Sequence, residues 1–466
     1  MNRTANTRKK ARPLKLFGTS GIRGKVSTTV TPQLALQAGQ ALATHIKAKT
    51  ILTAYDTRET SPMLHSALAA GIAACGTTVL SQGVIPTPAL AYLTRYAAAQ
   101  AGAMITASHN PPNYNGIKLY NPDTTAYSQT QQNHLERLIS SQGFTFAGWQ
   151  RTGKIIQIDE TQRYLEMIRS SVRLGKSWRI VMDPGNGATS YLAPQILSEL
   201  DCKVTTINSQ PDGHFPGRGA EPNEKTLRPL CSLVRGLNAD VGIAYDGDGD
   251  RMMIVDENGH VTPPDQTFAS YAAHGVQRHK NKTVVTHIEA SLCVEEMVEK
   301  AGGKVIRTKV GDVSITHAMK KQKAAFGGEP CGAWIHPVYH YCPDGILSSI
   351  LFLHALEEEG QKPSEFVSTA PTYPTLRQNV PCPNQVLHRV MRKAFKAVPE
   401  RFPECKEQSC LDGVRLTFSE GWLLVRSSGT EPLVRLTVEA KTRKEAESIM
   451  NRAVRLMNQL IKEAQT

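Results

Sequence analysis

Residues 239–256 read ADVGIAYDGDGDRMMIVD. Two apolar runs, 239–246 and 251–256, are separated only by alternating Asp and Gly. Runs of this length bounded by turn residues read as strands. Open α/β sheets bind ligands in the loops outside strand ends, and this loop lies at such an end. The same grammar continues on both sides. Upstream, ILTAYD (51–56), AGAMITA (101–107) and GIKLY (116–120) read as strands, and Pro62 and Gly76 bound a helix from Ser61 to Cys75. RIVMD (179–183) and the helix LAPQILSEL (192–200) open a second series. Downstream, the strands KTVVTHI (282–288), KVIRTK (304–309) and AAFGG (324–328) alternate with the helices SLCVEEMVEKA, SITHAMKKQ and ILSSILFLHALEEE. The alternation predicts three related α/β modules with mainly parallel strands. The last part differs. A helix over 385–397 precedes the strands VRLTF, WLLVRS and LVRLTVEA, and a final helix repeats Ala446, Ile449, Ala453, Met457, Leu460 and Ala464 at helical spacing. The expected architecture is α/β, with three modules at 1–150 (basic tail 1–12), 151–256 and 257–369 and a C-terminal α+β domain at 370–466.

The aspartates of the opening stretch carry the sharpest chemistry. Asp246, Asp248 and Asp250 stand at i, i+2 and i+4, a spacing that points side chains the same way in an extended segment. Gly247 and Gly249 leave the backbone free to bend around a small ion. Clustered carboxylates repel unless a hard cation or an arginine compensates. Asp246, Asp248, Asp250 and Glu257 fit positions 1, 3, 5 and 12 of a calcium-binding helical hand. Position 6 of that loop needs Gly, however, and is Arg251, and strands rather than helices flank it. A magnesium-type site is the better reading.

Four further stretches stand at strand ends. TASHNPPNYNGIK (106–118) puts Ser108 in a Pro- and Asn-rich loop, as a candidate nucleophile or a turn serine, with His109 and Lys118 as proton acceptor and positive charge. RSSGTEPLVR (426–435) combines hydroxyls and backbone N–H groups with Arg426 and Arg435, the makings of a phosphate grip or a Ser-rich hairpin end. GTSGIRG (18–24) carries Arg23. GGEP (327–330) places Glu329 where it could hold sugar hydroxyls. A grip, a metal triad, a nucleophile and a hydroxyl binder together suggest phosphoryl transfer on a phosphosugar.

Composition bounds the alternatives. The chain has 466 residues, 40% hydrophobic and 20% charged, which suits a folded protein of about three or more domains. Lys and Arg number 54 against 41 Asp and Glu, a formal +13, of which Arg3, Arg8, Lys9, Lys10, Arg12 and Lys15 precede the first acidic residue. Such an excess calls for an anionic partner. Aromatic–basic interleaving and recognition motifs for nucleic acid are missing. No apolar stretch reaches the length of a membrane span, and the basic tail lacks the apolar core of a secretory signal. The nine cysteines form no CxxC, so neither a disulfide framework nor a zinc site is suggested. The expectations are a cytoplasmic protein, monomer or homodimer, with neither a nucleic-acid nor a membrane partner.

Together, TASHNPPNYNGIK, DGDGDR, GGEPCG and RSSGTEP, in that order after GTSGIRG, closely resemble the α-D-phosphohexomutase family. The resemblance spans nearly the whole chain and implies three α/β domains and a smaller fourth around a central cleft. It implies that Ser108 is a phosphoserine that donates and recovers phosphate, and that Asp246, Asp248 and Asp250 hold Mg²⁺ with a phosphoserine oxygen. Arg251 would contact the substrate or the phosphoserine region. Arg23, His109 and Lys118 would assist proton transfer and charge stabilisation. Glu329 would bind sugar hydroxyls, and Lys309, Gly311 and Asp312 would form a specificity loop. Arg426, Ser428, Gly429 and Thr430 would grip the non-reacting phosphate, supported by Arg435. The implied reaction interconverts hexose or hexosamine 1- and 6-phosphates through a 1,6-bisphosphate, which also serves as activator. Many members read GExSGH in the sugar loop. Here Cys331 and Ala333 replace Ser and His, a pattern similar to an archaeal-type branch. FGTSGIRG is similar to the GTDGIRG of the glucosamine branch, with Ser20 at the Asp position. Both favour glucosamine phosphate over glucose or mannose phosphate, and a non-catalytic sugar-phosphate binder is the alternative outside enzymes.

Overall fold

The structure, a computed structural model, describes residues 15–428 and 431–465. The basic tail 1–12, and Gly429 and Thr430 of the expected grip, lie outside the described residues. Four sheets follow one another along the chain, the fourth with its own pattern. The first has seven strands in the order Phe17–Gly18, Gly21–Lys25, Tyr114–Tyr120, Ala101–Ile105, Thr50–Tyr55, Thr78–Val84 and Ile155–Gln157. Ile155–Gln157 pairs parallel with Thr78–Val84, so the chain returns to the first sheet just after residue 150. The second sheet runs Met252–Val255, Val241–Tyr245, Arg179–Asp183, Lys203–Thr206, and the third Lys304–Thr308, Thr283–His287, Phe326–Glu329, Ala333–Ile335.

These three sheets share one device. A buried strand in parallel register with its inner neighbour turns through a loop into an antiparallel strand. In the first sheet Ala101–Ile105 runs parallel to Thr50–Tyr55 and antiparallel to Tyr114–Tyr120. In the second, Val241–Tyr245 does the same between Arg179–Asp183 and Met252–Val255. In the third, Phe326–Glu329 lies between Thr283–His287 and Ala333–Ile335. The three expected α/β modules are therefore mixed, each sheet combining parallel strands with an antiparallel one. The hairpin loops at these three strand ends carry SHNP, DGDGD and EPCG.

The fourth sheet is wholly antiparallel, in the order Thr375–Pro381, Leu433–Ala440, Gly421–Ser427, Val414–Thr417, Glu407–Ser409. The helices Asn384–Arg401 and Arg443–Gln465 pack on it. One continuous apolar core runs from the first domain's helix Thr87–Tyr96 through the second domain to the third domain's helix Gly345–Glu359. The fourth domain has a separate core, and a small apolar cluster of Ile288, Trp422 and Leu424 joins it to the third. Among the described residues no helix is long and apolar enough to cross a membrane. All nine cysteines are free.

Candidate active site

Tyr245 pairs with Met252, so residues 246–251 form a short loop closing an antiparallel hairpin. The aspartates converge because this loop is bent, not because it is extended. The N–H of Gly249 donates to the carbonyl of Asp246 (3.2 Å), and Gly249 takes a φ of +76°, open to glycine at little cost. One carboxylate oxygen from each of Asp246, Asp248 and Asp250 falls within 4.8 Å of the others. Asp246 and Asp248 are fully buried, and Asp250 is partly buried.

Ser108 meets this loop from the first domain. It is buried, with a φ of +51°, a conformation costing a non-glycine residue ~1–2 kcal/mol. Its N–H donates to Thr106 Oγ1 (2.9 Å), and its Oγ donates to Asp246 Oδ2 (2.7 Å). His109 Nδ1 is 3.3 Å from the same Oγ. The strain is held by Arg58, a residue the sequence pattern did not mark. Its guanidinium donates to the carbonyls of Ser108 (2.7 Å), Asn110 (2.7 Å), Pro111 (2.6 Å) and Tyr114 (3.0 Å), and pairs with buried Asp56 at 3.0 Å. Asp56 in turn accepts from Ser61 Oγ and Thr106 Oγ1, both at 2.7 Å.

Lys118 lies on the antiparallel strand after the serine loop. Its Nζ donates to Asp248 Oδ2 (2.7 Å) and Asp250 Oδ2 (2.6 Å). Burial alone would lower its pKa, but the two carboxylates outweigh it and raise it, so the ammonium stays charged. Burial raises Asp248, but Lys118 and the hydroxyl of Thr87, 2.6 Å away, pull it below the usual carboxylate range. Burial and the Asp250 and Asp248 charges push Asp246 well up. Burial, then Arg251 and Arg23, push His109 down to about 2, leaving a neutral imidazole. Arg23 Nη1 reaches Asn110 Oδ1 at 3.4 Å. Glu221, also unmarked by the sequence reading, sits 3.3 Å from Arg251 Nη1 and 3.7 Å from His109 Nδ1.

Around this point Arg23 Nε, Glu221 Oε2, Asp248 Oδ1 and Asp250 Oδ1 are buried without a hydrogen-bond partner. Orphaned buried oxygens are costly unless a ligand satisfies them. Two of these belong to the aspartate triad, and an all-oxygen donor set suits a hard divalent cation.

The third domain closes the other side. Glu329 Oε1 accepts from the N–H of Gly311 (3.0 Å), and Cys331 Sγ lies 3.8 Å from Glu329 Oε2. The Cys331 side chain is exposed. Ser20 Oγ donates to Asp312 Oδ1 (3.3 Å), which burial pushes up to about 6. Lys309 is exposed. The first- and third-domain candidates thus touch each other through Ser20 and Asp312, while Ser108, His109, Lys118 and the aspartates form one cluster. Arg426 and Arg435 do not touch that cluster. They face each other on adjacent strands of the fourth domain and pair with Glu289 and Asp412, and with Glu431. Ser428 is buried nearby.

Family models match this architecture domain by domain. The phosphoglucomutase/phosphomannomutase alpha/beta/alpha domains I, II and III match residues 14–146, 162–259 and 263–373, and the C-terminal domain matches 379–456. The chain belongs to the phosphoglucomutase/phosphomannomutase family. Within and around that family, it is 42% identical over 440 residues to a probable phosphoglucosamine mutase of Methanothermobacter thermautotrophicus, covering 94% of this chain and 96% of the relative. It is 40% identical to the phosphoglucosamine mutase of Methanococcus vannielii, covering 96% and 99%. A phosphoglucomutase/phosphomannomutase family protein from Burkholderia thailandensis has the same fold, with a TM-score of 0.85 at 25% identity, covering 96% and 97%.

Proposed function

We propose that this phosphosugar mutase interconverts glucosamine 6-phosphate and glucosamine 1-phosphate through a phosphoserine at Ser108 and a glucosamine 1,6-bisphosphate. The observation that carries the mechanism is Ser108 Oγ, 2.7 Å from Asp246 within the aspartate triad and 3.3 Å from His109. Identity of about 40% over nearly the full chain to proteins named phosphoglucosamine mutase supports the sugar.

In the forward half, the bond from phosphorus to Ser108 Oγ breaks as the bond to the sugar oxygen forms. The sugar hydroxyl's proton ends on the departing serine oxygen, with His109 Nδ1, 3.3 Å from that oxygen, as its hydrogen-bond partner. The other half runs the same way in reverse, with the other phosphate moving to Ser108. Asp246, Asp248 and Asp250, with a phosphoserine oxygen, would hold Mg²⁺, which when bound neutralises charge on the transferring phosphoryl group. Lys118, Arg23 and Arg251 bring fixed positive charge to the same point, in a site that excludes water. Glu329, held by the N–H of Gly311, takes sugar hydroxyls, and Ser20, Lys309, Asp312 and Cys331 line that side. Arg426, Ser428, Gly429 and Thr430, backed by Arg435, grip the phosphate that does not react. The bisphosphate also keeps Ser108 phosphorylated. We place the enzyme in the cytoplasm, as a monomer or homodimer with no nucleic-acid or membrane partner.

The test is a Mg²⁺ assay of glucosamine, glucose and mannose 6-phosphates side by side, each primed with its own bisphosphate. The highest kcat/KM is expected for glucosamine 6-phosphate. A tenfold preference for glucose or mannose phosphate contradicts the substrate assignment.

A further inference from the structure

The group that braces the serine loop is itself fully buried. Every N–H of the Arg58 guanidinium finds a partner. Nε pairs with Asp56 Oδ2 (3.0 Å), Nη1 donates to the carbonyls of Pro111 (2.6 Å) and Tyr114 (3.0 Å), and Nη2 donates to those of Ser108 and Asn110 (both 2.7 Å). Asp56 opens a second route to the same serine. Its Oδ2 accepts from Thr106 Oγ1 (2.7 Å), and that oxygen accepts the N–H of Ser108 (2.9 Å). Both main-chain groups of Ser108, the N–H and the carbonyl, thus lead back to one ion pair. From the second domain the ring of Phe215 covers the guanidinium, its centroid 5.0 Å from Cζ.

This brace maintains a conformation that a free chain leaves. Ser108 has a φ of +51°, in the left-handed region that a side chain disfavours. In that conformation Oγ lies 2.7 Å from Asp246 Oδ2 and 3.3 Å from His109 Nδ1. Rotation about φ swings Oγ away from both. The second domain repeats the device. Arg218 and Asp183 are buried and pair at 2.8 Å, and Arg218 Nη2 donates to the carbonyl of Tyr245, where the aspartate loop departs. Asp183 ends the strand parallel to Val241–Tyr245, as Asp56 follows the strand parallel to Ala101–Ile105. A buried arginine–aspartate pair therefore stands behind each of the two loops that meet at Ser108.

We propose that Arg58, with Asp56, is the positioning residue of the phosphoryl carrier: it presets Ser108 so that phosphate is taken up and given back without rearrangement of the loop. This rests on Ser108 being that carrier. Arg58 acts through the main chain of Ser108 and is not a catalytic residue. Its loss slows transfer and leaves substrate binding as it was, because the groups assigned to the sugar and to the other phosphate lie in the third and fourth domains.

Arg58→Lys keeps the charge opposite Asp56 and removes the planar fork, which an ammonium cannot reproduce. The full chain is mixed with glucosamine 1,6-bisphosphate and Mg²⁺ and quenched at intervals, and phosphate on Ser108 is read by peptide mass. The expected result is the wild-type extent of phosphorylation, reached about 100-fold more slowly. The kcat should fall by the same factor, with KM for glucosamine 6-phosphate within about twofold. Partial misfolding would lower the extent and not the rate. Thr106→Val removes just the hydroxyl between Asp56 and Ser108; it should slow transfer on the order of tenfold and serves if the lysine variant does not fold. A wild-type rate in the folded variant, or a loss that appears in KM instead of in the rate, overturns the positioning role and leaves the phosphoserine reading intact. A wild-type enzyme that turns over without phosphate on Ser108 overturns that reading, and the role of Arg58 with it.

Discussion

Lys118 shows most clearly what single residues do here. Its ammonium is within 2.7 Å of two buried carboxylates, in a place where a surface lysine would gain little. Removing one partner of a buried ion pair leaves an uncompensated charge and typically costs ~3–5 kcal/mol. Lys118→Met should therefore lower the unfolding temperature without Mg²⁺, and added Mg²⁺ should restore more of it than it adds to the wild type. Thermal unfolding with and without the metal reads both; an unchanged unfolding temperature in the variant contradicts the geometry. At this scale the sequence was only partly legible. Ser108, Lys118 and the three aspartates stand out because their neighbours, Pro, Asn and Gly, make unusual loops. Arg58, Glu221 and Thr87 carry no such mark. A buried arginine two residues past a strand looks locally like any turn arginine, and only the fold shows its four carbonyl partners.

Elements position these residues by how closely they can approach. The aspartate loop and the serine loop touch through backbone: a Cβ on Gly247 would come within 2.6 Å of the Ser108 carbonyl. Gly247→Ala should push the two loops apart. The expected result is a fall of ~100-fold or more in kcat, as for other small displacements of reacting groups, with the far-ultraviolet spectrum unchanged. Activity within twofold of wild type would show that the loops need not touch. Close approach also explains a helix that the pattern left out, Pro32–Ile46, which packs on the helix that Pro62 and Gly76 did mark. Pro32–Ile46 and Ser61–Ala74 cross at Gly39 and Gly71, where added Cβ atoms would lie 2.2 Å and 2.1 Å from backbone oxygens of the other helix. A face built of Ala and Gly buries well without the large apolar stripe that marks an amphipathic helix. The antiparallel strands Tyr114–Tyr120 and Met252–Val255 were legible as strands and Ala333–Ile335 was not; the direction of all three was hidden, because alternation of strand and helix speaks only for the parallel connections.

For the whole molecule, the length, the change of pattern after the third module and the order of motifs described four units before any contact was known. The unequal joining of those units was not readable, because it depends on which cores merge. One core spans the first three domains, the first domain holds a second core of its own, and the fourth domain's core is separate. The shared framework also buries neutral histidines. Burial pushes His65 down to about 4 and His336 to about 3. A base whose folded pKa lies below its unfolded value binds fewer protons when folded, so stability is full above about pH 6.5 and falls as the pH drops toward 4. The unfolding temperature should decline steadily from pH 6.5 to 5, and the double variant His65→Gln, His336→Gln should decline less; a flat wild-type profile in that window contradicts the burial. The whole reaction turns on Ser108. The most direct measurement is the mass of the Ser108-containing peptide after incubation with glucosamine 1,6-bisphosphate and Mg²⁺, followed by a chase with glucosamine 6-phosphate. One phosphoryl group is expected on Ser108, removed by the chase, with no turnover in Ser108→Ala. An unmodified Ser108 in an active enzyme, or an active Ser108→Ala variant, would contradict it.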